Sequence, residues 1–117
     1  MKYQLEERVT IFSGNILDLI KKIRINILNR NIIEQLARSS TSIGANYFEA
    51  NGSSSKRDFI SKIAISKKEA IETQYWLRLL CKTSDNNLNE EIIKLQDEAK
   101  QIGMILSTII SNVRKTI

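Results

Sequence analysis

The chain has 117 residues, 42% of them hydrophobic and 26% charged, and 18 Lys and Arg against 13 Asp and Glu give a net charge of +5. This is the make-up of one globular domain, residues 1–117, long enough to bury a core without staples. With no histidine and one cysteine, Cys81, the chain has no intrachain disulfide, no thiolate metal site and no histidine general base.

There is no proline, so long uninterrupted helices are permitted. The first helix is predicted from Leu5 to Ile23, with Val9, Phe12, Ile16, Leu19 and Ile23 spaced alternately three and four apart. Arg24 to Arg30 reads either as an extension of it or as a connector. The second helix is predicted from Asn31, where Asn31 and Glu34 resemble a capping box, and its stripe is Ile33, Leu36, Ser40, Ile43, Tyr47 and Ala50. Asn51-Gly52-Ser53-Ser54 stops it, with Gly52 expected to adopt the left-handed cap conformation. Ser55 and Asp58 open the third helix, whose main stripe is Phe59, Ile63, Ser66, Ala70, Thr73, Leu77 and Leu80. Thr83 to Asn87 is a polar turn. Asn87, with Glu90, is expected to cap the fourth helix, striped by Leu88, Ile92, Leu95, Ala99, Ile102, Leu106, Ile109 and Val113. Short connectors make neighbours antiparallel, and three-four spacing favours packing at about 20°. The predicted fold is all-α, an antiparallel up-down-up-down four-helix bundle. The turns at Gly52 and Asp85 argue against one long coiled coil.

No Gly-rich phosphate loop is present, since Gly44 and Gly52 stand alone. The N-terminus lacks the apolar run of a signal peptide, and the most apolar stretch, Met104 to Val113, is too short and polar to span a bilayer. The expectation is a cytoplasmic protein with no cofactor, no small-molecule substrate and no membrane partner. Glu69 and Glu72 could serve as an acid–base pair, but the stronger reading is ion pairing on a helix face. Cys81, beside Lys82, could be an activated thiol; the stronger reading is a small hydrophobe at a helix end.

Three features remain. Arg38, Ser42, Asn46 and Glu49 form one polar line down the second helix, amid small residues that allow close backbone approach. It reads as a register-fixing network, with a binding groove as the alternative. The third helix carries two apolar lines beyond its main stripe: Ile60, Ala64 and Ile71, and Ile65, Trp76 and Leu79. Either two neighbours cover them or they form a subunit interface, for which Ile65, Trp76 and Leu79 are the candidates. Finally, Lys21, Lys22, Arg24, Lys56, Arg57, Lys67 and Lys68 are candidate nucleic-acid contacts. Asp58 and Glu69 interrupt them and no aromatic ladder accompanies them, so a solvated face is the default. Repetition around an oligomer would make a weak patch multivalent.

The segment Arg38-Ser-Ser-Thr-Ser-Ile-Gly-Ala-Asn-Tyr-Phe-Glu-Ala50, with Ser55-Lys-Arg-Asp-Phe-Ile60, Ile63-Ala64 and Lys68-Glu-Ala-Ile-Glu-Thr-Gln-Tyr-Trp-Leu-Arg-Leu-Leu80, resembles the bacterial four-helix-bundle family named for proteins encoded in 23S rRNA intervening sequences. The resemblance covers nearly the whole chain, but the fourth helix matches only in pattern, and the family's proline-containing link after the first helix is replaced here by Arg24 to Arg30. It implies a four-helix bundle assembling into a cyclic homo-oligomer, foremost a pentamer, with no established enzymatic activity. Related accessory proteins of diversity-generating retroelements form basic rings that bind nucleic acid and a reverse transcriptase. The resemblance makes Arg38, Ser42, Asn46, Glu49, Phe59, Glu69, Glu72, Trp76 and Leu80 fold-specifying rather than catalytic. Two readings follow: a non-catalytic oligomeric bundle that binds RNA or DNA weakly, or a protein–protein adaptor.

Overall fold

A computed structural model of the chain describes residues 2–83 and 86–116. Four helices account for nearly all of them: α1 (Lys2–Lys21), α2 (Arg30–Asn51), α3 (Lys56–Thr83) and α4 (Asn89–Lys115), with a 3₁₀ turn at Asn86–Leu88 before the last. Each helix packs on its chain neighbours, and α1 closes the ring against α4. Cross-helix contacts give the directions. Glu6 meets Asn51 and Ser13 meets Ser40; Glu49 meets Lys62 and Arg38 meets Glu72; Lys56 meets Thr116. Every neighbouring pair is therefore antiparallel, in a rod 50 × 21 × 19 Å.

The stripes become the core. Val9, Phe12, Ile16 and Leu19 of α1, the whole predicted stripe of α2, and Ile63 to Leu80 of the α3 stripe are all buried. Late in α4 the buried position moves from Ile109 to Ile110. A straight helix drifts by about 20° per heptad, so a strict three-four count eventually slips. Small residues sit where backbones come close. On α3, Ser66 donates its buried hydroxyl across the interface to the Ile43 carbonyl on α2 at 2.7 Å, and the Thr73 and Ser39 hydroxyls lie 2.9 Å apart. A Cβ on Gly103 would stand 3.7 Å from Ala70, and one on Gly44 3.5 Å from Val9.

The helix ends correct several expectations. Ser55 does cap α3, its hydroxyl accepting from the Asp58 amide at 3.0 Å. Helix α2, however, starts at Arg30 with Asn29 as the flanking residue and no side-chain cap bond, so the Asn31–Glu34 box does not form. Asn29 is used inward instead. It is buried, accepts from the Asn26 amide at 2.8 Å and donates to the Arg24 carbonyl at 3.1 Å, while the Asn26 side chain accepts from the amides of Leu28 and Asn29. Residues 24–29 are thus a hydrogen-bonded connector rather than more helix. Helix α1 ends at Lys21, two residues before the predicted limit. Gly52 follows α2 with φ −92°, right-handed, so its freedom to adopt positive φ is not called upon. Helix α4 begins after Leu88 without a side-chain cap, and Asn87 lies in the 3₁₀ turn instead. Ser84 and Asp85 of the expected turn lie outside the described residues. No helix among the described residues is long and apolar enough to cross a membrane.

Candidate nucleic-acid interface at the α3–α4 groove

Antiparallel packing brings the start of α3 beside the end of α4. Between them runs an open groove of about 780 Å³ lined by Ala64, Lys67, Lys68, Ile71 and Glu72 of α3 and by Ser107, Ile110, Ser111, Arg114 and Lys115 of α4. Four cations thus face one carboxylate, and that carboxylate is already engaged: Glu72 accepts from Arg38 at 2.5 Å. Lys56 lies at the same end, bonded to the Thr116 carbonyl, and exposed Arg57 adjoins it. The groove continues along Ile71, Gln74, Lys100, Gly103 and Met104. Arg114 and Lys115 occupy the last turn of α4, where the negative end of the helix dipole stabilises their positive charge.

The seven cations expected to contact nucleic acid are not one surface. Lys56, Arg57, Lys67 and Lys68 gather at the α3–α4 groove, where Arg114 and Lys115 join them. Lys21, Lys22 and Arg24 sit toward the other end of the rod, at the connector between α1 and α2. There Lys22 is tied to Glu91 at 3.1 Å and Lys21 lies 3.8 Å from Asp18. Sequence proximity gave no hint of Arg114 and Lys115, which reach Lys67 and Lys68 only through the pairing of α3 with α4.

The polar line of α2 does face α3, but it does not run as one chain of bonds. Arg38 grips two carboxylates one turn apart, Glu69 at 3.2 Å and Glu72 at 2.5 Å. The Glu69 side chain is only 11% exposed, so it has lost most of its water and relies on the guanidinium. Glu49 pairs with Lys62 at 2.9 Å. Asn46 bonds within its own helix, to the Ser42 carbonyl at 2.9 Å. Glu69 and Glu72 are therefore partners of one arginine, the ion-pair alternative of the sequence reading. A second such clamp has no signal in the sequence pattern: Arg8 on α1 holds Glu98 on α4 through two bonds of 2.7 and 2.8 Å, with Gln101 at 2.9 Å. The Glu98 hydrogen bond raises the Arg8 pKa against the opposing effect of burial. At Cys81 burial acts the other way and pushes the thiol up, outweighing Lys82, so it does not have the lowered pKa of an activated nucleophile.

The extra apolar lines of α3 are only partly covered. Ile71 and Ile65 are exposed, while Leu79 and Trp76 are half-buried, and Trp76 packs on the core with Tyr75 edge-on at 5.1 Å. The Trp76 indole N–H is buried without a hydrogen-bond partner among the described residues.

Comparison with known proteins agrees with this architecture. A crystal structure of a protein of unknown function from the S23 ribosomal protein family of Bacteroides thetaiotaomicron is 34% identical, with a TM-score of 0.77 over 91% of this chain and 97% of that one. No curated protein matches. The family model described as 23S rRNA-intervening sequence protein matches residues 4–108. With that match spanning almost all of the bundle, the chain belongs to the 23S rRNA-intervening sequence protein family.

Proposed function

We propose that this chain is a non-catalytic, self-assembling cytoplasmic bundle that binds RNA or DNA weakly through the cationic α3–α4 groove. One observation carries the reading: Lys67, Lys68, Arg114 and Lys115 converge on a groove whose one lining carboxylate among the described residues, Glu72, is held by Arg38. Such a site attracts phosphates without reading bases, because no aromatic side chain among the described residues lines it for stacking. Self-assembly into a ring, taken as a pentamer, would place several grooves on one particle and raise avidity without a new contact. Ile65, Trp76 and Leu79 are the proposed subunit interface.

The test is fluorescence anisotropy with a labelled single-stranded RNA at low salt. The Lys67→Glu, Lys68→Glu double variant should lose binding, and Lys21→Glu, Lys22→Glu should keep most of it. Equal losses, or no binding by the native chain, contradict the proposal. The adaptor reading is supported by the aliphatic side chains Ala64, Ile71 and Ile110 in the same groove, which phosphates do not need. It would be favoured by a partner whose binding depends on Ile71 and not on salt.

A further inference from the structure

The connector between α1 and α2 holds three large aliphatic side chains out in water at one tip of the rod: Ile27 is 96% exposed, Leu28 70% and Ile25 53%. They are not there because the loop is slack. Asn26 and the buried Asn29 fold it through four hydrogen bonds of 2.8–3.1 Å, which set the backbone from Arg24 to Asn29. A built loop that displays apolar side chains is unfavourable in water unless something covers them. The charges around them say what. Residues 21–30 contain Lys21, Lys22, Arg24 and Arg30 and no carboxylate. All four are exposed; Lys21 lies by Asp18 and Lys22 is paired with Glu91, while neither Arg24 nor Arg30 forms an ion pair among the described residues.

We infer that this tip docks on an anionic bilayer surface, with Ile25, Ile27 and Leu28 entering the headgroup boundary and Arg24 and Arg30 meeting lipid phosphates. An apolar tip flanked in the chain by unpaired Arg24 and Arg30 suits a flat, negatively charged apolar boundary. Shallow apolar burial and charge attraction add there, and neither suffices alone. Nucleic acid offers the charge, but three neighbouring aliphatic side chains would have to unstack bases to enter it, whereas a bilayer boundary takes them without that cost. The sequence-based expectation of no membrane partner rests on the lack of a spanning segment, and a surface-docked tip needs none. The inference does not depend on the α3–α4 groove, whose lining residues take no part in it.

The experiment is co-sedimentation of the full chain with phosphatidylcholine vesicles and with vesicles containing about a third phosphatidylglycerol. The native chain should bind the anionic vesicles and not the neutral ones. Ile27→Ser with Leu28→Ser should weaken binding by about tenfold or more. Arg24→Gln with Arg30→Gln should weaken it by about 30-fold, and Lys67→Glu with Lys68→Glu should leave vesicle binding by the tip in place. As a second reading, Ile27→Trp should show a blue-shifted emission on anionic vesicles that the native chain, with Trp76 as its one tryptophan, does not. The inference is overturned if anionic vesicles are not bound, or if binding survives loss of both aliphatic side chains. It is equally overturned if Ile27→Trp emission does not shift, or if the tip variants abolish self-association or RNA binding instead.

Discussion

Replacing Arg38 with alanine should uncouple α2 from α3 more than any other single surface change. Arg38 is 46% exposed at its side chain, but Glu69, which it holds at 3.2 Å, is 11% exposed, and Glu72 is held at 2.5 Å. An exposed pair contributes up to about 1 kcal/mol, and breaking a fully buried one costs about 3–5 kcal/mol. This clamp lies between, because one partner is wet and the other nearly dry, so a loss of about 2 kcal/mol follows. For a chain of this length that is roughly 8 °C in Tm. The assay is urea unfolding by circular dichroism at fixed protein concentration, since self-association would add to apparent stability. A double-mutant cycle with Glu69→Gln isolates the pair, because Glu69→Gln removes the charge that Arg38→Ala strands. The cycle should return a coupling of about 1 kcal/mol or more. A loss under about 0.5 kcal/mol with no coupling would mean that the clamp is an ordinary solvated pair, and the reasoning fails.

Other consequences are as direct. Gly14 lies in mid-α1, where an added Cβ meets nothing within 4 Å, so Gly14→Ala should stabilise the chain by about 0.5–1 kcal/mol in the same urea assay. Ser66→Ala removes the buried bond to the Ile43 carbonyl and should cost about 1 kcal/mol. Because burial raises the Cys81 pKa, iodoacetamide should alkylate it more slowly than a free cysteine near neutral pH, with the rate climbing only at higher pH as thiolate forms; a rate faster than the free thiol's would contradict the burial argument. Ile65→Glu with Leu79→Glu should reduce the particle mass seen by light scattering if these side chains join subunits, and an unchanged mass would remove them from the interface.

The bundle was legible in the sequence because four apolar stripes at three-four spacing each select one face, and the short connectors leave antiparallel neighbours as the only economical packing. Ser55 was legible as a cap because its partner amide is three residues away and purely local. Asn31 and Gly52 misled for the same local reason. Asn29 is drawn into a bond with the Arg24 carbonyl and α2 starts one residue early, while α2 ends in right-handed backbone that needs no glycine. The site was legible only by halves. Lys67 and Lys68 stand out on α3, but whether they face Arg114 and Lys115 depends on the register of α3 on α4. The close approach of Gly103 to Ala70 marks that register, and no periodicity within one helix encodes it. Conversely, Lys21, Lys22 and Arg24 form a basic run in the chain, yet antiparallel packing carries them to the far end.

The central claim is that four groove cations work together on phosphates, and the salt dependence of RNA binding tests it most directly. Four phosphate contacts on a single strand predict a slope of about −2.8 in log affinity against log salt, a fall of roughly 50-fold between about 50 and 200 mM. That slope should flatten in the Lys67→Glu, Lys68→Glu variant. A slope near zero in the native chain, or one that moves only when Lys21 and Lys22 are changed, would contradict the assignment of the groove.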